Sequence, residues 1–144
     1  MRPWRLRRTA SVEPPADVAE LLNQDGAKVA TRARTYLLDG KQVLAATSYL
    51  PADLVAGTRI LDEDTGPGGI YARLADLGHG PAHFREDIVS RMPTKAEAER
   101  LQVAPGTPVF VVTRTAVTEA GDPVEVNVMT LDAGSYVLRY DFDA

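Results

Sequence analysis

Along residues 30–51, ATRARTYLLDGKQVLAATSYLP, two runs rich in apolar, aromatic and β-branched residues flank Asp39-Gly40. A two-residue type I′ turn needs positive φ at both central positions, and Asp-Gly supplies it, so the pattern predicts a β-hairpin. Closing it with Leu38 opposite Lys41 sets Arg34 opposite Ala45, Arg32 opposite Thr47 and Ala30 opposite Tyr49. Alternation then gathers Arg32, Arg34, Tyr36, Val43, Ala45, Thr47 and Tyr49 on one face. That face reads as the floor of a polar cavity. The other, carrying Val29, Thr31, Ala33, Thr35, Leu37, Leu44, Ala46, Ser48 and Leu50, is more apolar and is expected to meet helices.

The remaining pattern predicts a first strand over residues 4–12 and a proline-started helix over 16–22, with Val18, Leu21 and Leu22 on one side. A single helical turn is expected at 52–56, then a polar link around Asp62-Glu63-Asp64. Ile70, Leu74 and Leu77 fall at helical spacing, so a helix starts near Gly68 or Gly69 and stops at Gly78. A strand over 82–92, a helix over 95–101 and a second hairpin over 108–117 and 123–131 follow. SYVLRYDF, residues 135–142, alternates like a last strand. The chain also repeats itself: Gly26 aligns with Gly106, Val29 with Val109, Arg34 with Arg114, Gly40 with Gly121 and Val43 with Val124. Each copy is strand, helix, glycine, hairpin, a duplication rather than a solenoid. The expected architecture is α+β, with a single mainly antiparallel sheet of about six strands and helices mainly on one face.

Composition narrows the chemistry. At 144 residues, 44% of them hydrophobic and 25% charged, the chain reads as one domain, 1–144. A net charge of −4 disfavours unaided binding to nucleic acid. Arg2, Arg5, Arg7 and Arg8 read instead as solvated charge on an edge strand. Without cysteine, disulfides and thiolate metal sites are excluded, and His79 and His83 alone do not make a histidine metal centre. Both histidines read as turn residues, and Trp4 and Phe84 as packing. The basic start lacks the apolar stretch of a secretory signal, and no run approaches the ~20 apolar residues of a membrane span, so a cytoplasmic domain without membrane contact is expected. With no nucleophile–base pair beside the arginines, the reading is not an enzyme.

Three motifs in order carry a resemblance: RARxxxxDGxxVxxxTSYLP, a helix opening Tyr-xx-Leu, and PTxxEAxxLxVxxGTPVFVVxRTAxxxxGDPVEV. Over about residues 4–142 the chain resembles the UTRA domain, the effector-binding half of transcription regulators in the HutC branch of the GntR family. The resemblance implies a chorismate-lyase-like fold with internal duplication and a small-molecule sensor without a cofactor. It also implies a homodimer that reaches DNA only through a separate winged helix-turn-helix domain. Met1 is followed almost at once by the first strand, so that domain is expected to be absent from this chain, a fragment or a stand-alone sensor.

The resemblance assigns Arg32 and Arg34 to an acidic group of the effector, a sugar phosphate or carboxylate, which guanidinium forks bind bidentately. It adds the helix start Gly68, Gly69, Ile70 and Tyr71, where free N–H groups can meet an anion, and Glu125 as an acceptor. Thr47 and Tyr49 join through the expected register; Ser48 points away unless a bulge reverses it. Relatives often carry Ser at the Gly69 position, Glu where Ala45-Ala46 stands, and Tyr where Leu131 stands. These departures imply a ligand less polar than, or different from, an amino-sugar phosphate. The alternatives are an interaction module that has lost its reading domain or its ligand and, last, a chorismate-lyase-like enzyme.

Overall fold

The turn at Asp39-Gly40 has φ of 51° and 80° and closes β2 (Val29–Leu38) onto β3 (Lys41–Pro51), as Asp-Gly requires. The computed structural model describes residues 4–24 and 26–144; Arg2 and the side chain of Trp4 lie outside the described residues. With β1 (Trp4–Val12), β4 (His83–Arg91), β5 (Val109–Val117) and β6 (Pro123–Asp132), these strands form one six-stranded sheet. Its order is β1-β2-β3-β6-β5-β4, antiparallel throughout. Each half contributes strand, helix and hairpin, and the halves join where β3 pairs with β6. The duplication read from sequence is therefore the plan of the sheet.

The expected hairpin register holds only beside the turn, at Leu38–Lys41 and Leu37–Gln42. A bulge at Val43 then shifts it by one residue: Tyr36 pairs with Leu44, Arg34 with Ala46, Arg32 with Ser48 and Ala30 with Leu50. A one-residue shift turns every following side chain to the other face. Thr47 and Tyr49 thus leave the arginine face and Ser48 joins it, a correction to the expected cavity floor. The second hairpin irregularity falls at the matching place, where Ala116 pairs with Glu125 but Val117 with Pro123, leaving Val124 extra. Val43 and Val124 are 4% and 2% exposed. Burying a valine gains roughly 1.5–3 kcal/mol, more than the ~1 kcal/mol net of a ladder hydrogen bond. The bulge wins for that reason.

Helices cover both faces, not mainly one. On the arginine face, α2 (Ala52–Val55), the 3-10 turn Arg59–Leu61 and α3 (Gly69–Asp76) bury Val55, Ile60 and Leu74 against Ala30, Leu50, Ala116 and Val124. On the other, α1 (Ala16–Leu22) packs Val18 and Leu22 on Val29 and Val126. There too α4 (Lys95–Leu101) leans on β3. Both strand faces carry apolar residues, so a one-sided arrangement would leave one set in water.

The final strand expected at 135–142 does not form. Residues 136–140 cross the arginine face instead: Tyr136 and Leu138 are half-buried beside Val112, Met129 and Leu131, while Val137 is 82% exposed. Period-two alternation reports one-sided burial, which a strap lying on a sheet satisfies without pairing. His79 and His83 are both exposed; His79 lies in the turn after α3, as expected, whereas His83 opens β4 opposite Val117. Among the described residues no helix is long and apolar enough to cross a membrane.

Candidate functional site

The bulged register aligns one polar row across all six strands: Arg8, Arg32, Ser48, Asn127, Arg114 and Glu86 are successive cross-strand partners. The rows beside it are largely apolar: Leu50 and Ala116 accompany Glu125 on one side, and Ala46, Met129 and Val112 accompany Arg34 on the other. A polar row inside an apolar sheet face must satisfy itself or await a ligand. The two ends of the row solve this differently.

At the β1–β2 end Arg32 is 4% exposed. Its Nη1 donates to the carbonyls of Ile60, at 2.8 Å, and Asp62, at 2.5 Å, pinning the 3-10 turn to the sheet. Arg34 reaches along the row, where Nη2 donates to Ser48 Oγ at 2.9 Å and to Asn127 Oδ1 at 3.3 Å. The Nε atoms of both arginines are buried without a hydrogen-bond partner. None of Arg8, Arg32 and Arg34 forms an ion pair among the described residues. Burial, followed by the like charges of Arg34 and Arg8, pushes the Arg32 guanidinium below its ordinary range. This end carries an excess of positive charge that the Asp62 carboxylate offsets only in part.

At the β5–β4 end the charge is answered. Arg114 Nε and Nη2 both contact Glu86 Oε2, at 2.9 and 2.8 Å. Burial, the largest single influence, would lower the Arg114 guanidinium, but Glu86 and then Tyr71 together outweigh it and the net shift is upward. Glu125, 1% exposed, accepts a 2.7 Å hydrogen bond from the Tyr71 hydroxyl. Burial first, then the Glu125 charge, pushes that phenol well above its ordinary value. The Tyr71 ring meets Phe84 at 5.4 Å between centroids. An open cleft of about 450 Å³ lies here, lined by Tyr71, Phe84, Glu86 and Arg114.

Over this face Gly68, with φ of 83°, caps the start of α3; no side chain caps it, and the Gly69 N–H turns back to the Gly66 carbonyl at 3.1 Å. A Cβ at Gly68 would stand 2.6 Å from that of Ala72, so the position admits only glycine, whereas Gly69 faces open space. Ile70 and Tyr71 pack on the arginine-face core. The structure therefore places Arg32, Arg34, Glu125, Tyr71 and the helix start on one side of the sheet, and Thr47 and Tyr49 on the other. Ser48, Asn127, Glu86 and Arg114 escaped the sequence reading as site residues. Arg114 had a signal: the repeat aligns it with Arg34. Among the described residues no cluster of His, Cys, Asp and Glu could hold a metal.

Residues 4–136 match the UTRA domain family, to which the chain belongs. It is 36% identical over 135 residues to an uncharacterised HTH-type transcriptional regulator of Streptomyces coelicolor, covering 91% of this chain and 50% of that protein. The chain thus spans half the length of that relative. Among solved structures it resembles the effector domain of PhnF from Mycobacterium smegmatis, with a TM-score of 0.81 and 22% identity over 98% of this chain and 86% of that one. It also resembles a GntR-family transcriptional regulator from Enterococcus faecalis, with a TM-score of 0.81 and 18% identity over 96% and 99%. The fold is the α+β, chorismate-lyase-like one of UTRA domains, and the Streptomyces and Enterococcus relatives are transcriptional regulators.

Proposed function

We propose that this domain senses a small anionic metabolite, of the sugar-phosphate or carboxylate class, on the arginine face of its sheet. Family membership and the likeness to GntR-family regulators support a ligand-sensing regulatory role. One observation carries the ligand's charge: Arg8, Arg32 and Arg34 crowd one end of a polar row with no carboxylate ion-paired to them among the described residues. Arg34 is the residue that meets the anion, since Arg32 is committed to the carbonyls of Ile60 and Asp62. Ser48 and Asn127 orient the Arg34 guanidinium. The N–H groups at Ile70 and Tyr71 supply a second contact, and Glu125 accepts from a hydroxyl of the ligand when Tyr71 releases it. In a homodimer bearing winged-helix domains, ligand binding shifts the balance between two arrangements of those domains and so DNA affinity. The shift is limited by the ligand's differential affinity for the two states.

The test is calorimetry of this chain against a panel of phosphorylated sugars and carboxylates, with Arg34→Ala beside the wild type. A charged hydrogen bond is worth roughly 1.5–3 kcal/mol, so the variant should bind at least tenfold more weakly while its melting temperature without ligand hardly moves. Equal affinity in the two proteins would remove Arg34 from the site. No binding by the wild type across the panel, with a stable dimer, would favour an interaction module instead.

A further inference from the structure

The register shift that removes Thr47 and Tyr49 from the arginine face delivers them to a different hollow. On the opposite side of the sheet a cavity of about 520 Å³ lies between β1, β2, β3 and α4, within the range of about 300–1,000 Å³ usual for small-molecule sites. Its floor follows from the pairing. Arg7, Ala33 and Thr47 stand in one cross-strand row, Thr9, Thr31 and Tyr49 in the next, and Arg5 opposite Thr35 beyond them. Ala33 sits mid-floor, where its small side chain leaves the space open. Arg5 and Arg7 come from the edge strand and Arg100 from the last turn of α4, so guanidiniums face the hollow from two elements.

No ion pair neutralises Arg5, Arg7 or Arg100 among the described residues. Glu13 is the one carboxylate in the lining, and Lys28 already holds it at 3.0 Å. Asp17 is the other acidic neighbour, close enough to raise the Tyr49 phenol, after burial, above its ordinary value. Three cations around a floor of hydroxyls leave an excess of positive charge over groups that can donate to or accept from a ligand.

We propose that this hollow is a second anion-binding site, separate from the arginine-face site, taking a small molecule that bears two or more phosphate or carboxylate charges. Arg7 and Arg100 clamp the charged groups from opposite walls, Arg5 adds charge at the rim, and Thr31, Thr35, Thr47 and Tyr49 hydrogen-bond the body of the ligand. β2 serves both sites: Arg32 and Arg34 project to one side and Thr31, Ala33 and Thr35 to the other.

The experiment titrates the full ¹⁵N-labelled chain with inorganic tripolyphosphate at constant ionic strength and follows backbone amides. The expected result is saturable shifts at Thr31, Thr35, Thr47 and Tyr49, weakened at least tenfold in the Arg7→Ala/Arg100→Ala double variant and unchanged in Arg34→Ala. Spectra of β5 and β6 amides report whether the double variant keeps its fold. Should it not, Arg100→Ala alone, on α4, and Tyr49→Phe are each expected to weaken binding threefold or more. Wild-type affinity in the folded double variant, or in both single variants, overturns the proposal, as does a wild-type titration in which those four amides stay still. Shifts confined to Ser48, Asn127 and residues 66–71, and lost in Arg34→Ala, would reject this site and leave the arginine-face reading standing. The converse pattern would reject that reading and retain this one.

Discussion

Arg34 and Arg114 occupy matching places in the two halves of the sheet, yet one lacks a carboxylate and the other holds one. The frame around them is the same, a middle strand whose hairpin partner is bulged at a buried valine, Val43 in one half and Val124 in the other. What differs is the outer strand. β4 sets Glu86 opposite Arg114, whereas β1 sets Leu6 opposite Arg34 and another arginine, Arg8, opposite Arg32. A duplicated backbone thus yields a neutral end and a cationic end through the residues of its edge strands. Charge compensation, rather than fold, separates the half that stabilises from the half proposed to bind.

Arg32→Ala breaks the comparison most severely. It strips the Ile60 and Asp62 carbonyls of their donor and empties a buried site, which should cost about 3 kcal/mol of stability in urea unfolding. Arg32 is therefore not a substitution that leaves the fold untouched, and loss of ligand in that variant would report the displaced 3-10 turn as much as a missing contact.

Tyr71→Phe tests the satisfied end. It leaves the buried Glu125 carboxylate without its hydroxyl donor, for a loss of about 2 kcal/mol. The Tyr71 phenol is held above its ordinary value, so its contribution is intact below about pH 10 and disappears as pH rises beyond it. Unfolding midpoints at pH 7 and above pH 10 should therefore fall less in Tyr71→Phe than in the wild type.

Glu86→Gln sharpens the comparison from the other side. Removing the counter-charge makes Arg114 resemble Arg34. A half-exposed pair is worth at most about 1 kcal/mol, so stability should change little, while inorganic phosphate binds a few-fold more tightly by calorimetry. No gain would mean that geometry, and not charge, keeps anions from that end.

The smallest effect concerns the helices of the two halves. α1 starts at Pro15 with no side-chain cap, whereas α4 has a capping box in which Thr94 and Glu97 bond each other's backbone N–H groups and Arg91 grips Glu97 at 2.7 and 2.9 Å. Arg91 first, then the Thr94 amide and hydroxyl, hold the Glu97 carboxyl down to about 2. A lowered carboxyl stabilises above its ordinary value near 4.5 and loses that contribution as pH falls toward 2. Glu97→Gln keeps the capping acceptor and loses only the partly exposed Arg91 pair, so it should cost about 0.5 kcal/mol at pH 7 and clearly less at pH 3, read from urea midpoints.

Local rules sufficed for every element but the last. Asp39-Gly40 dictated a turn, Pro15 and Thr94 the helix starts, Gly78 a stop, and the repeat gave the two-part plan, because each depends only on neighbours in the chain. The chemistry-bearing residue types are legible too: Arg32, Arg34 and Glu125 stand out in the sequence itself. Tertiary packing alone decided which way they point. Whether Val43 sits in the ladder or in the core is settled by helices recruited from elsewhere in the chain, and that choice reassigned Thr47, Tyr49 and Ser48 between faces. The strap at residues 136–140 was likewise open, since alternation is the same for a paired strand and for a segment lying on a sheet. Pairing across strands distant in sequence made Glu86 the partner of Arg114 and left Arg34 without one, and no local pattern encodes that distinction.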